Sequence, residues 1–332
     1  MAKIALTVLG AGNMGTAVAE VLAHNGYDVK IWNFEGDPEP LKAIAESHEN
    51  KKYFPGLKLS PRVRPEPDLQ KAVQDTAVVF VAIPSAFFAA TLSRAVRFMK
   101  KGVVCVSLSK GLDEKKMFFL SQVLDDEIKK IGGKSVVLSG PAIAKDLGHG
   151  HFTAMNIAGK DSKTVQLVSK LLQNDYLKLV PSRDVIGVQL GGACKNVYAL
   201  ILGICDGLEM PMNTKAVLVV SALQEMGELM KALGGKKETV YELAGVGDLI
   251  GTSFSLHSRN RRCGEYVGKG KKIKEAVAEV GQVVEGIQAV KLILKLGRKK
   301  KIKLPLAETV ERVVVGGRDA REELTKFLRK SF

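Results

Sequence analysis

A chain of 332 residues with 50 Lys+Arg against 35 Asp+Glu carries a formal charge of +15, and its length predicts two domains, each large enough to bury a core. Hydrophobic residues at 46% and charged residues at 26% are ordinary for a folded globular protein and exclude a disordered one. No uninterrupted apolar run reaches the ~18 residues of a membrane span, and four dispersed cysteines (Cys105, Cys194, Cys205, Cys263) without a CxxC exclude a disulfide framework, so a reducing cytoplasm is expected.

Residues 4–9 are the first predicted strand. This short apolar run behind one charge is similar to a weak signal peptide, but the glycines after it read as a functional turn instead. A helix over 14–25 ends at Gly26, and a second strand spans 29–32. The Pro- and charge-rich stretch 36–68 is a long excursion around one or more helices. Strands at 78–83, 103–108 and 136–139 follow, with helices near 85–99 and 115–131. Short β-branched runs alternating with longer amphipathic segments predict an α/β unit, a parallel sheet with crossover helices. Beyond residue 181 the strand pattern stops. Residues 184–206, 214–233 and 282–295 read as long helices, some apolar nearly all round and therefore deeply buried. The boundary is expected near 180–184, dividing the chain into 1–181 and 182–332. No internal repeat or low-complexity tract interrupts it.

The positive charge raises the question of nucleic acid. Residues 1–180 hold 24 basic and 18 acidic side chains, and residues 181–332 hold 26 and 17, so the excess is spread rather than gathered in a tail. Its densest clusters lie at 259–262, 269–274 and 298–303, with no zinc-ligand spacing or aromatic RNA-binding strand beside them. A solvated basic surface, or a field that gathers small anionic substrates, accounts for it without nucleic acid.

Gly10-Ala11-Gly12-Asn13-Met14-Gly15 stands between the first strand and the first helix. In that setting the glycines of a GxGxxG play separate parts. The first permits a tight turn, the second lets backbone approach a pyrophosphate, and the third lets helix and strand pack closely. The helix N-terminus adds N–H donors and a positive dipole end. Glu35, twenty residues after Gly15, lies where a carboxylate would bond the adenosine ribose, and no Arg or Lys stands between Ile31 and Asp37 to neutralise a 2′-phosphate. NAD is therefore expected over NADP; the other reading of Glu35 is an ordinary surface carboxylate beside Asp37 and Glu39. Ile83-Pro84-Ser85 closes another strand at the same sheet edge, where it contacts a cofactor or simply ends the strand.

Ser109-Lys110-Gly111 follows the strand at 103–108, so Lys110 projects at that edge too. Gly191-Gly192-Ala193-Cys194-Lys195-Asn196 places one lysine in an almost wholly apolar helix. Such a lysine snorkels to water, or is paired, or has its pKa drawn down and moves protons. Gly245-Val246-Gly247-Asp248-Leu249-Ile250-Gly251-Thr252 leads into Ser258-Arg259-Asn260-Arg261-Arg262, a glycine turn joined to an arginine cluster, and this reads as a phosphate site.

With Ser139-Gly140-Pro141, Glu285-Gly286 and Leu304-Pro305-Leu306, these strings occur in the order found in the NAD(P)-dependent glycerol-3-phosphate dehydrogenases of bacterial type, which the chain resembles over essentially its whole length. The resemblance implies a Rossmann domain followed by an all-α substrate domain similar to the C-terminal helices of 6-phosphogluconate dehydrogenase. It also implies a homodimer that reversibly reduces dihydroxyacetone phosphate to sn-glycerol 3-phosphate for phospholipid synthesis. Residue by residue it implies Lys195 as catalytic acid/base, with Lys110 and Asp248 beside it. It implies substrate contacts from Lys110, Asn196, Asp248 and Thr252, and a substrate phosphate held by Arg259 and Asn260. For the cofactor it implies contacts from Gly10, Gly12, Asn13, Met14, Gly15, Phe34, Glu35, Pro84, Lys110, Ala144, Arg259 and Glu285.

The chain departs from the family pattern in places. Ala142 and Asp146 replace a polar residue and a Glu after Ser139-Gly140-Pro141, and Ser253 replaces a Cys. His149-Gly150-His151 reads as a loop, since two His without a carboxylate partner make a poor metal site. No metal is needed for the chemistry. The alternatives are a related Rossmann-type dehydrogenase of another polyol phosphate or hydroxy acid, which would not need Arg259-Asn260, and an idle dinucleotide sensor, which would not need Lys195, Asp248 or Arg259.

Overall fold

The computed structural model describes residues 4–113, Met117 and 119–331, and divides at residue 185 into two compact units. In the first unit the strands are β1 (Leu6–Leu9), β2 (Val29–Trp32), β3 (Val63–Pro65), β4 (Val78–Val81), β5 (Val104–Ser107), β6 (Lys134–Ser139), β7 (Thr153–Gly159) and β8 (Leu177–Ser182). They form one sheet in the order β3-β2-β1-β4-β5-β6-β7-β8. The pairings from β3 to β6 are all parallel, β7 runs antiparallel to β6, and β8 runs parallel to β7. The first six strands thus have the order of a Rossmann sheet.

Successive residues of one strand enter opposite faces. Val78 and Phe80 join the core that holds Leu6, Val8 and Ile31, while Val79 and Val81 join the core that holds Leu9, Trp32 and Cys105. Burial on both faces is why these strands read as continuous apolar runs. The helices are α1 (Asn13–His24), α2 (Glu39–Ser47), α3 (Leu69–Val73), α4 (Ser85–Val96), α5 (Leu120–Ile128), α6 (Ala144–Gly148) and α7 (Ser162–Leu172). The helix expected from 115 begins at Leu120; residues 115, 116 and 118 lie outside the described residues. Three strands were not expected. β3 is three residues within a proline-rich stretch, β7 is poor in β-branched residues, and β8 runs into Pro181, so none shows the usual strand pattern. The sheet is therefore mixed rather than wholly parallel.

The second unit is helical apart from its turns: α8 (Val185–Gly207), α9 (Met212–Ala232), α10 (Asp248–Ser253), α11 (Arg259–Gly268), α12 (Ile273–Val280), α13 (Glu285–Lys299), α14 (Pro305–Val314) and α15 (Ala320–Ser331). By length and composition α8 would cross a membrane, yet 89% of its most apolar window is buried in the protein. Its apolar run is broken by Gln189, Lys195 and Asn196. Its partner is α11. A Cβ on Gly203 would lie 2.0 Å from the Arg261 carbonyl oxygen, and one on Gly264 would lie 2.0 Å from the Leu200 carbonyl oxygen. Glycine on both sides lets the two backbones touch, which brings the start of α11 against the middle of α8.

Candidate active site

In the first unit the glycine turn has the form its sequence demands. Gly10 has φ +105°, and a Cβ there would lie 2.5 Å from the Ala82 carbonyl oxygen. One on Gly15 would lie 1.8 Å from the Gly10 carbonyl oxygen, so α1 meets the turn without space for a methyl group. A Cβ on Gly12 would meet nothing within 4 Å. The open position is thus the one from which backbone can approach a ligand, and Gly12, as N-cap of α1, leaves the first-turn N–H groups without a side-chain acceptor. Side chains hold the turn from behind: Ala11 N–H donates to Asn33 Oδ1 (3.1 Å), and Asn50 Nδ2 donates to the Ala11 carbonyl (2.7 Å) and Thr16 Oγ1 (2.8 Å). Asn13 is exposed and donates to the Tyr53 carbonyl at 2.6 Å, while Met14 is half-buried. A dinucleotide pyrophosphate fits this cradle.

The other first-unit candidates lie along β4, β5 and β6. Ser109 Oγ donates to the Ile83 carbonyl (2.6 Å) and accepts from Ile83 N–H (3.0 Å), pinning the corner at exposed Pro84 to the loop that carries Lys110. Lys110 Nζ donates to the Gly140 carbonyl at 3.3 Å. Ala144 is half-buried at the start of α6. Phe34 is 57% exposed, and Phe87 in the first turn of α4, three residues past Pro84, is 63% exposed. Glu35 is not alone: Arg94 Nη2 donates to Oε1 at 2.6 Å and Nη1 to Oε2 at 3.3 Å, holding the carboxyl below its usual range. The guanidinium absent from residues 31–37 is supplied by a residue 59 positions later in the chain. His151 does have a carboxylate neighbour, Asp146 at 3.8 Å, contrary to expectation; among the described residues no group of three metal-ligating side chains forms.

The second unit gathers its candidates from four separate segments. Lys195, its side chain 11% exposed, donates to Asp248 Oδ1, whose side chain is 2% exposed. Thr252 Oγ1 donates to the same oxygen at 3.4 Å. Asp248 opens α10 directly after a π-helical turn over Leu243–Gly247, an uncommon form that is frequent at functional sites. One residue along α8, Asn196 donates to Glu285 Oε2 (3.3 Å) and accepts from Asn260 Nδ2 (2.9 Å), while Asn260 Oδ1 accepts from Gly286 N–H (2.9 Å). This buried chain of amides joins α8, α11 and α13 and leaves Asn260 only part of its amide for a ligand.

Beside Asn260, Arg259 is exposed at the first position of α11. The cap, Ser258 Oγ, accepts from Arg261 N–H, so the first two N–H groups of the helix have no intrahelical acceptor. An arginine and a helix N-terminus at one place form an anion site. Arg261, by contrast, is nearly buried and paired with Asp206 (2.7 Å) and Glu265 (3.1 Å), so it belongs to the scaffold.

Comparison with known proteins follows the same two-part division. Residues 5–165 match the family model of the NAD-dependent glycerol-3-phosphate dehydrogenase N-terminus, and residues 184–325 match that of its C-terminus. A glycerol-3-phosphate dehydrogenase (NAD(P)+) of Bacillus licheniformis is 40% identical over 314 residues, 94% of this chain and 90% of its own. The crystal structure of the glycerol-3-phosphate dehydrogenase of Coxiella burnetii is similar with a TM-score of 0.93 at 31% identity, over 98% of this chain and 99% of that one. The Saccharomyces cerevisiae enzyme gives 0.83 at 26% identity, over 98% and 99%.

Proposed function

The chain belongs to the NAD-dependent glycerol-3-phosphate dehydrogenase family and is an NAD(P)-dependent oxidoreductase, and we propose that it interconverts dihydroxyacetone phosphate and sn-glycerol 3-phosphate with Lys195 as acid/base. The observation that carries this reading is the bond between Asn196 and Asn260. It ties the neighbour of a nearly buried, carboxylate-paired lysine to the neighbour of an exposed arginine at a helix N-terminus. A proton donor and a phosphate holder side by side suit a small phosphorylated ketone.

The Gly10–Gly15 turn would hold a dinucleotide by its pyrophosphate, with Asn13, Met14, Phe34, Glu35, Pro84 and Ala144 as its further contacts, and the nicotinamide of that cofactor would supply the hydride chemistry. In reduction the Lys195 ammonium donates a proton to the carbonyl oxygen as it becomes an alkoxide; in oxidation the amine takes the hydroxyl proton back. Asp248 accepts from that ammonium and fixes its direction, and Thr252 fixes Asp248. Arg259 and the first N–H groups of α11 hold the substrate phosphate, the planar guanidinium bonding two oxygens at once. Asn196, Asn260 and Glu285 keep these groups in register. In the first unit Lys110, bonded to the Gly140 carbonyl, adds a cation at the cofactor edge of the sheet. The enzyme acts as a cytoplasmic homodimer and feeds phospholipid synthesis; four buried free cysteines suit a reducing compartment.

The test is NADH oxidation with dihydroxyacetone phosphate and with unphosphorylated dihydroxyacetone, in the unmodified chain and in Arg259→Ala. The phosphorylated ketone should be strongly preferred. Arg259→Ala should cost about 3–5 kcal/mol in kcat/KM for it and almost nothing for dihydroxyacetone, which has no phosphate to lose. Equal damage to both substrates would remove Arg259 from the phosphate. No effect on either would favour a hydroxy-acid substrate.

A further inference from the structure

The mutual grip of Glu35 and Arg94 has a second use. The loop after β2, the residues before α3 and the end of α4 border an open cleft of about 470 Å³ lined by Glu35, Asp68, Arg94 and Arg97, with Pro67 and Phe98 as apolar walls. It opens beside the carboxylate that a Rossmann domain turns toward the adenosine ribose. Arg94 and Glu35 meet through two parallel hydrogen bonds, yet their side chains are 49% and 47% exposed. An ion pair so open to water contributes little stability, so either partner is easily exchanged for another ligand. A phosphate ester is the natural competitor for a guanidinium fork, since it offers the same bidentate geometry with more charge.

We propose that Arg94, with Arg97 beside it in the cleft, holds the 2′-phosphate when this chain binds NADPH, and that Glu35 sets the choice of cofactor by competing for the same guanidinium. With NADH, Glu35 accepts from the ribose hydroxyls while Arg94 neutralises it. With NADPH, Arg94 turns from Glu35 to the phosphate, and the repulsion between Glu35 and that phosphate sets the penalty. This inference deepens the dinucleotide reading of the glycine turn and rests on it. It divides the specificity determinant between Glu35 in the loop after β2 and Arg94 on α4.

The experiment measures calorimetric dissociation constants for NADH, NADPH, 5′-AMP and 2′,5′-ADP with the full chain and no substrate. The two nucleotides differ only in the 2′-phosphate. Arg94→Gln should weaken NADPH and 2′,5′-ADP about tenfold or more while NADH and 5′-AMP change no more than about threefold. Arg94→Lys, which keeps the charge but not the fork, should fall between. Glu35→Gln should move the NADPH/NADH affinity ratio about fivefold toward NADPH. Equal loss of all four ligands in Arg94→Gln, or no loss, would overturn the proposal, as would failure of the unmodified chain to bind 2′,5′-ADP. An Arg94 dependence of NADPH binding in a protein that leaves dihydroxyacetone phosphate unreduced would support this inference and overturn the proposed reaction.

Discussion

The glycine turn and the Lys195 group are two ways of building a site. The turn is made of backbone within six consecutive residues, and its shape follows from where a Cβ cannot fit: 2.5 Å from Ala82 at Gly10 and 1.8 Å from Gly10 at Gly15. The lysine group is made of side chains from α8, α10, α11 and α13, joined by hydrogen bonds among residues 53 to 89 positions apart. Contiguous glycines specify the first, with Asn33, Asn50 and Ala82 closing round it. Only the packed helices specify the second, through glycines such as Gly203 and Gly264 that let α8 and α11 touch. The two should therefore fail differently when altered.

The largest effect should come from the lysine itself. Lys195→Met retains length and apolarity but removes the proton, and it leaves Asp248 buried without its cation. Turnover should fall roughly 10²–10⁴-fold. NADH affinity, measured by calorimetry without substrate, should stay within about twofold, because the glycine turn in the first unit is untouched. A parallel loss of cofactor affinity would mean that the two regions are not separable.

The same contrast explains what could be read in advance. The strands of residues 78–83 and 103–108 were legible because burial on both faces leaves a plain apolar run, and Gly10–Gly15 because the whole motif is contiguous. β7 was not, since Thr153-Ala154-Met155-Asn156-Ile157-Ala158-Gly159 has few β-branched residues and owes its pairing to its neighbours β6 and β8. Arg94 is illegible for a related reason: no guanidinium lies within a few residues of Glu35, and α4 supplies one from far along the chain. Lys195 and Arg259 stood out as residue types in odd company, a lone cation in an apolar helix and a basic cluster after a glycine turn. The hydrogen-bonded chain through Asn196, Asn260 and the Glu285 carboxylate has no local signature, because its links join different helices.

The helical unit that carries the lysine group also holds a buried carboxyl whose titration should register in stability. Glu225 on α9 accepts from Tyr198 on α8 (2.9 Å) and from the first-turn N–H groups of α14, Leu306 and Ala307. Burial, partly offset by those donors, raises its pKa from 4.5 to about 7. Between those values the folded chain holds a proton that the unfolded chain has released. The stabilisation is therefore complete below the ordinary carboxylate value and is lost as pH rises through about 7. Unfolding free energies from denaturant titrations at about pH 5 to 8 should show a fall of about 2 kcal/mol that Glu225→Gln abolishes. An unchanged slope in that variant would assign the titration elsewhere.

The smallest effect is the most discriminating, because it separates two glycines three residues apart. A methyl group at Gly15 has nowhere to go, so Gly15→Ala must push α1 away from Gly10 and should lower the melting temperature together with cofactor affinity. A methyl group at Gly12 meets nothing within 4 Å, and Gly12 has φ −77°, a backbone conformation that alanine adopts without strain. Gly12→Ala should therefore melt within about 1 °C of the unmodified chain, since no contact is lost and no clash is made. Its methyl would stand where the pyrophosphate approaches the first turn of α1, and the dissociation constant for NADH should rise about tenfold, some 1.4 kcal/mol. Both cofactors should suffer alike, since NADH and NADPH share the pyrophosphate and differ only at the ribose. If Gly12→Ala lowered the melting temperature as far as Gly15→Ala does, the middle glycine would belong to the turn's own packing. The open space above it would then no longer mark the cofactor's approach.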